Sequence, residues 1–181
     1  MPSRPETPSL LTTRNLVLVG LIVAAALSRV IPHPPNFSPV EAVALFAGAY
    51  FVDRRIAMAV PLAAMLLSDL VLGFHSGVAV VYGCMALIAW FGAGLAAKRS
   101  PARIAGYALA SSVFFFVVTN FFVWATSGMY PLTAAGFVDC YVQALPFFQN
   151  SLAGVAIYSL ALFGGFALVD RSLPGTRSVS A

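Results

Sequence analysis

The chain has 181 residues, of which 60% are hydrophobic and only 9% are charged, and its mean hydropathy is +0.91. A soluble domain carries about a quarter charged residues, so the composition argues against one and predicts a single integral membrane domain. The net charge of +4 does not point to nucleic acid, because the Lys and Arg residues lie between apolar segments and are better explained as topology signals.

The ends of the chain differ from its apolar body. Residues 1–14 are polar and are followed by no clear signal-peptide cleavage site, so the first apolar segment is expected to stay in the membrane. We predict a disordered cytoplasmic N-terminus over 1–14, a transmembrane domain over 15–170 and a cytoplasmic tail over 171–181. The two cysteines, Cys84 and Cys140, lie in or beside apolar segments, so no disulfide framework is expected.

Successive apolar segments predict an all-α bundle of six transmembrane helices. The predicted spans cover residues 15–31, 38–52, 56–72, 77–97, 104–125 and 147–169. The second is short for a bilayer, which takes about 20 helical residues, so we expect it to tilt little or to extend into space lined by protein. Residues 133–145 predict a separate amphipathic helix that Pro146 ends.

A polar, non-helical stretch with three prolines separates the first two spans. We name residues 32–37 the proline link. The following Ser-Pro-Val-Glu places the carboxylate of Glu41 in the first turn of the second span. Its spacing from Ser38 fits a capping box, with Pro39 at the first helical position. A ligand contact by Glu41 is an equally good interpretation, and the two roles are compatible.

The basic residues predict the orientation. In the six-span arrangement nine Lys and Arg residues fall on one side and only Arg29 falls near the other. Basic residues stay cytoplasmic, so both termini are predicted inside. The proline link, the turn at His75 and residues 127–146 then face outside. Five or seven spans would scatter the charges.

Polar residues embedded in apolar sequence gather at the predicted outer ends of the spans. A carboxylate deep in a bilayer costs about 2.5–3.5 kcal/mol, so it usually faces a partner or a cavity. Three acidic residues lie at this side, Glu41, Asp69 and Asp139, but only one basic residue, Arg29. At least two carboxylates are therefore left without a positively charged partner. We therefore predict an outward polar cavity for a polar or cationic small molecule, lined by Asn36, Glu41, Asp69, His75, Tyr82, Cys84, Asn120, Trp124, Tyr130, Asp139, Tyr141, Gln149 and Asn150.

Several of these residues also have structural interpretations. Asp69 can pair with Arg29 and join the first span to the third. Cys84 can be a small apolar filler, and His75 can be a solvated loop residue. Aromatic residues at span ends are often interfacial anchors. The one-sided grouping, rather than any single residue, is the evidence for a site.

Small residues recur every four positions on the first span, at Gly20, Ala24 and Ser28. Ala44 and Gly48 show the same spacing once on the second span. Such a face lets helices approach closely. It serves either packing inside the bundle or docking of another membrane protein.

The sequence also resembles a known group of proteins. It is similar to an uncharacterised bacterial membrane family that resembles the S components, the substrate-binding subunits of energy-coupling factor transporters. The resemblance covers most of residues 15–170 and is carried by Pro34-Pro35-Asn36-Phe37-Ser38-Pro39-Val40, Ala44-Leu45-Phe46-Ala47-Gly48-Ala49, Leu67-Ser68-Asp69, Thr119-Asn120-Phe121, Cys140-Tyr141, Pro146-Phe147-Phe148 and Asn150.

The resemblance implies capture of a vitamin or related metabolite at the bacterial cytoplasmic membrane. Cobalamin is one option, with Cys84 or His75 as a cobalt ligand. It also implies a membrane scaffold subunit with paired ATPases as partner. The chain lacks the N-terminal Met-His arrangement of metal-ion S components and any Walker motif, so ATP hydrolysis would belong to the partner.

Two other functions remain open from the sequence. A structural or assembly subunit would use the small-residue face of the first span. An intramembrane enzyme would need a nucleophile such as Cys84 or Cys140 beside a base. The histidines, His33 and His75, both lie in predicted outer loops, so we expect no enzyme, no cofactor and no bound metal.

Overall fold

A computed structural model describes residues 12–172, and within them the chain is helical with no strand. The prediction of an all-α protein is confirmed. Apart from their innermost residues, the predicted disordered N-terminus and the cytoplasmic tail lie outside the described residues. The first helix already begins at Thr13, inside the segment predicted to be disordered.

Between residues 12 and 172 the chain forms seven α-helices joined by short turns and loops. In chain order they are α1 (Thr13–Leu27), α2 (Val40–Tyr50), α3 (Arg54–Leu72), α4 (Val78–Gly92), α5 (Pro101–Thr126), α6 (Ala134–Ser159) and α7 (Gly165–Ser172). Short 3-10 turns extend α1 over Ser28–Val30 and α4 over Ala93–Leu95. A π-helical segment, Leu160–Gly164, joins α6 to α7.

Among the described residues, five helical stretches are long and apolar enough to cross a membrane. They are Thr13–Val30, Arg54–Leu72, Val78–Leu95, Pro101–Thr126 and Ala134–Arg171. The chain thus has the architecture of a multi-pass membrane protein. The exception among the predicted spans is α2, whose eleven residues reach about 16 Å at 1.5 Å per residue, against a hydrocarbon core about 30 Å thick.

The short helix α2 forms the centre of the bundle. Ten of its residues, from Val40 to Ala49, are buried, and α2 packs against α1, α3, α4, α5 and α6. The expectation that this segment extends into protein-lined space is confirmed. Its apolar character serves the protein core rather than the lipid.

Two glycines allow the backbones of α2 and α4 to come into direct contact. A Cβ added at Gly48 would overlap the carbonyl group of Ala89, and one at Gly92 would lie 2.7 Å from the carbonyl oxygen of Leu45. Real Cβ atoms do not approach that closely. The spacing of Ala44 and Gly48 therefore serves internal packing, because α4 occupies this face of α2.

Several helix ends meet at one end of the bundle, which we name the basic end. Arg14 of α1 lies 3.7 Å from Asp170 of α7. Arg99, just before α5, donates two hydrogen bonds, of 2.6 and 3.0 Å, to a carbonyl in the last turn of α2. Arg54 of α3 donates to a carbonyl near the end of α4 at 3.3 Å. These basic residues share one end, as predicted.

Pro146 does not end a helix, and the predicted separate helix over residues 133–145 is wrong. Helix α6 runs through Pro146 from Ala134 to Ser159. Proline lacks an N–H, so it removes one hydrogen bond of the helix. Helices of membrane proteins tolerate this because neighbouring groups can satisfy the freed carbonyl.

Candidate functional site

The first polar group of the bundle is an ion pair. Arg29 lies on the 3-10 turn after α1, and its Nη1 donates to Asp69 Oδ1 at 2.5 Å and to Ser68 Oγ at 2.6 Å. Tyr82 of α4 donates its hydroxyl hydrogen to Asp69 Oδ2 at 2.7 Å. We name these four residues the ion-pair network. It joins the ends of α1 and α3 to α4.

The ion-pair network confirms the structural interpretation of Asp69. Both carboxylate oxygens have a donor, and only 4% of the side chain is exposed. Arg29 supplies the opposite charge, so Asp69 does not provide the unmatched acceptor that the predicted site needs. Its role here is to hold three helices together.

The second polar group surrounds Glu41, which is 2% exposed. Ser112 of α5 donates its hydroxyl hydrogen to Glu41 Oε1 at 3.4 Å. Cys84 of α4 lies close enough to Glu41 for the charge of the carboxylate to act on its thiol. We name Glu41, Cys84 and Ser112 the Glu41 cluster.

The predicted capping box is absent, so that interpretation was wrong. Pro39 is the N-cap of α2, and no side chain caps this helix. The hydroxyl of Ser38 is buried without a hydrogen-bond partner. The Glu41 side chain meets α5 instead, because α2 lies inside the bundle and its first turn is covered by other helices.

The proline link is bound to α6. Asn150 Nδ2 donates to the carbonyl oxygen of Pro35 at 2.9 Å, and Ser151 Oγ donates to that of Asn36 at 3.3 Å. Asn36 has a positive φ of 62°, a conformation that asparagine tolerates better than most residues. The side chain of Asn36 is exposed, so the link presents its backbone, rather than this amide, to α6.

A third polar group lies where α5 meets α6. Tyr141 donates to the carbonyl oxygen of Val117 at 2.7 Å, and Trp124 Nε1 donates to that of Pro131 at 3.1 Å. The side-chain amide of Asn120 donates a hydrogen bond to the carbonyl oxygen of Phe116 in its own helix. These predicted binding residues therefore satisfy backbone groups at a helix junction.

The remaining predicted residues do not join a common site. His75, Asp139 and Gln149 are exposed, and Tyr130 is partly buried. His75 Nδ1 accepts a hydrogen bond from the N–H of Gly77 at 3.2 Å, which closes its own turn. The structure thus divides the predicted binding residues among three buried or half-buried groups and several exposed positions.

Two cavities lie towards the basic end, and none of the predicted binding residues lines either of them. One, of about 590 Å³, lies between α4 and α5 and is lined by Phe91, Arg103, Tyr107 and their neighbours. The other, of about 550 Å³, lies between α5 and the helix formed by α6, the π-helical segment and α7.

The described residues offer no ready metal site. Between residues 12 and 172, no three His, Cys, Asp or Glu side chains converge in a way that could hold a metal ion. Cys84 and Cys140 are free and buried. The ring of His33 contacts a backbone carbonyl, and that of His75 closes its turn.

The sequence analysis did not single out Ser112, although it is the cross-helix partner of Glu41. The available signal was a pair of adjacent serines, Ser111 and Ser112, within an otherwise apolar helix. Both are buried. Arg99 was counted only as a topology signal, yet it binds the last turn of α2 and stacks 4.4 Å from the centre of the Tyr50 ring.

Residues 9–176 match the model of a protein family described as a family of unknown function, DUF6580. The chain belongs to the DUF6580 family. The match spans all the helices between residues 12 and 172 of this DUF6580 protein, so the buried α2 and its surrounding helices lie within the family's domain. No curated protein and no solved structure matches the chain. Similarity to transporter S components stays a prediction.

Proposed function

We propose that this DUF6580 protein binds a small polar solute in the membrane as part of an uptake system of the S-component type, and that Glu41 contacts the solute. The observation that carries the proposal is the burial of Glu41 without a basic side chain within ion-pair distance among residues 12–172. An ionisable residue inside a membrane protein usually marks a substrate or ion pathway.

The surroundings of Glu41 favour this role. It lies in the first turn of a short enclosed helix that follows a non-helical link. Non-helical backbone at membrane depth is tolerated where protein buries it, and transporters commonly build substrate sites at the ends of discontinuous helices. The unpartnered hydroxyl of Ser38 adds a second polar group near this helix start.

The wider proposal follows the resemblance and the charge bias. With the proline link and α2 counted together as one crossing enclosed by the other helices, the chain crosses the bacterial cytoplasmic membrane six times with both termini inside. Its solute is a vitamin or related metabolite, and a scaffold subunit with ATPases supplies the energy. Cobalamin belongs to this class, with Cys84 or His75 as the cobalt ligand to test.

A ligand screen tests the role of Glu41. A vitamin that binds the native protein raises its melting temperature by mass action, and at 100 times its dissociation constant it adds about 2.7 kcal/mol of stability. We expect the Glu41→Gln protein to fold and to lose this shift, because glutamine keeps an acceptor for Ser112 but removes the charge. Thermal unfolding in detergent is the measurement.

The matched control is Asp139→Asn, which removes an exposed carboxylate and should leave the ligand shift unchanged. Equal ligand shifts for Glu41→Gln and the native protein would contradict a role for Glu41. A complete screen in which no vitamin or metabolite stabilises the native protein, and in which no small molecule co-purifies, would reject solute binding itself.

A second candidate function is that of an assembly subunit, which the outer face of α1 favours. Gly20 and Ala24 are exposed, and a Cβ at Gly20 would meet no atom within 4 Å. Ser28 does not share this free face, because its hydroxyl forms a 2.7 Å hydrogen bond with that of Tyr158. The docking surface proposed from the sequence therefore reduces to Gly20 and Ala24.

Ala24→Leu separates docking from solute binding. If α1 docks an energising partner, the variant should bind solute with unchanged affinity and lose cellular uptake, because leucine prevents the close helix approach that small residues allow. Ala153→Leu, at an exposed position of α6, is the control. Uptake that matches the control would argue against docking through α1.

A further inference from the structure

A groove at the basic end is lined by residues that do not belong to the proposed solute site. It runs between α5 and the final helix and has a volume of about 550 Å³. Its walls are almost wholly apolar, and they are formed by Ile104, Ala105, Ala108, Leu109, Leu152 and Phe163 together with their neighbours. The π-helical segment forms part of one wall, and such segments occur frequently at functional sites.

One buried polar group lines this apolar groove. Ser159 is 4% exposed, and its hydroxyl has no hydrogen-bond partner. A buried hydroxyl without a partner is costly. A ligand that fills the groove with hydrocarbon and also carries an acceptor would satisfy it.

The mouth of the groove carries a positively charged group held in place. The Nε and Nη2 atoms of Arg99 donate to the last turn of α2, and the guanidinium stacks on the Tyr50 ring. These contacts leave Nη1 for an anion. Burial lowers the pKa of Arg99, but an arginine side chain remains protonated at neutral pH.

The surroundings of Arg99 complement an anion. Lys98 precedes it in the sequence, the charge of Arg14 acts on it, and the nearby carboxylate of Asp170 pairs with Arg14. Basic pockets between membrane helices bind the headgroups of anionic lipids. A guanidinium is also well suited to phosphate.

We infer that the groove holds one anionic glycerophospholipid. Its phosphate binds Arg99, one acyl chain lies along the apolar walls, and an ester carbonyl accepts the hydrogen bond of Ser159. This site is independent of the Glu41 cluster. Its occupant is recognised by a negative headgroup, by the ester and by the chain together.

Native mass spectrometry of the full-length protein in detergent tests the headgroup. We expect dioleoyl-phosphatidylglycerol to bind at least about tenfold more tightly than dioleoyl-phosphatidylcholine, because the quaternary ammonium of the second lipid offsets the negative charge that Arg99 binds. Arg99→Gln should abolish the difference. Arg54→Gln, at the same end of the bundle but outside the groove, should retain the preference for phosphatidylglycerol. Equal binding of the two lipids to the native protein would overturn the inference.

A second comparison does not depend on Arg99, which also supports α2. The native protein should prefer ester-linked phosphatidylglycerol to the ether-linked lipid of the same chain length, and Ser159→Ala should remove this preference. Ala156→Phe, which fills the groove, should displace both lipids. Binding that is unaffected by Ala156→Phe would place the lipid elsewhere, and an ester preference retained in Ser159→Ala would exclude the serine contact.

Discussion

Replacing Gly48 with alanine is expected to prevent α2 from docking on α4. The new methyl group would overlap the carbonyl group of Ala89. Backbone cannot rotate away as a flexible side chain can, so the two helices must separate. Overpacking a core typically costs 1–3 kcal/mol, and we expect a loss of about 3 kcal/mol or more here because α2 is enclosed on all sides.

Thermal unfolding and size-exclusion profiles in detergent would measure this effect. Gly83→Ala is the matched control, since a Cβ at Gly83 of α4 would meet no atom within 4 Å. Alanine is favoured over glycine in a helix by about 1 kcal/mol, so the control should be unchanged or more stable. A Gly48→Ala protein as stable as the Gly83→Ala protein would show that the close approach of α2 and α4 is wrong.

Arg29→Met is expected to cost a similar amount of stability, through the ion-pair network. The substitution keeps a long apolar side chain but leaves Asp69, 4% exposed, without its counter-ion. Removing one partner of a buried pair typically costs 3–5 kcal/mol, because the other charge stays buried. The free energy of unfolding, measured with a denaturing detergent, should fall by about that amount.

The double variant Arg29→Met/Asp69→Asn should recover most of the loss. Asparagine carries no charge and still offers an oxygen to the hydroxyl of Tyr82. Arg55→Met is the control for an exposed arginine, and we expect a change of about 0.5 kcal/mol or less. If the double variant were no more stable than Arg29→Met alone, the charge left on Asp69 would not be the cause.

The sequence predicts the long helices well because their signal is local. Apolar runs bounded by charges or turn residues place α3 and α5 within a few residues of their observed ends. The prediction of the final helix failed because Pro146 was treated as the end of a helix, as it would be in a water-soluble protein. In α6 the surrounding helices compensate for the lost hydrogen bond.

The site could be predicted only where few partners were possible. The pairing of Asp69 with Arg29 could be offered as one of two interpretations of Asp69, because one cation was available at that end. Ser112 and Glu41 are 71 positions apart, and the contact between them depends on how α2 and α5 are rotated. A single sequence does not report the rotation of an apolar helix, because all its faces look alike. The division of the polar residues into separate groups depended on the same rotations.

The enclosure of α2 has a consequence for how the protein is made. Helix α2 emerges from the ribosome before α3, α4, α5 and α6, yet these helices provide most of its cover. It is too short to be left in the lipid as a stable span, and its first turn carries Glu41. The nascent chain must therefore hold α2 at the insertion machinery or at the membrane surface until the last helix is synthesised, when Asn150 and Ser151 bind the proline link. We therefore expect the docking of α2 to be among the last steps in the folding of this chain.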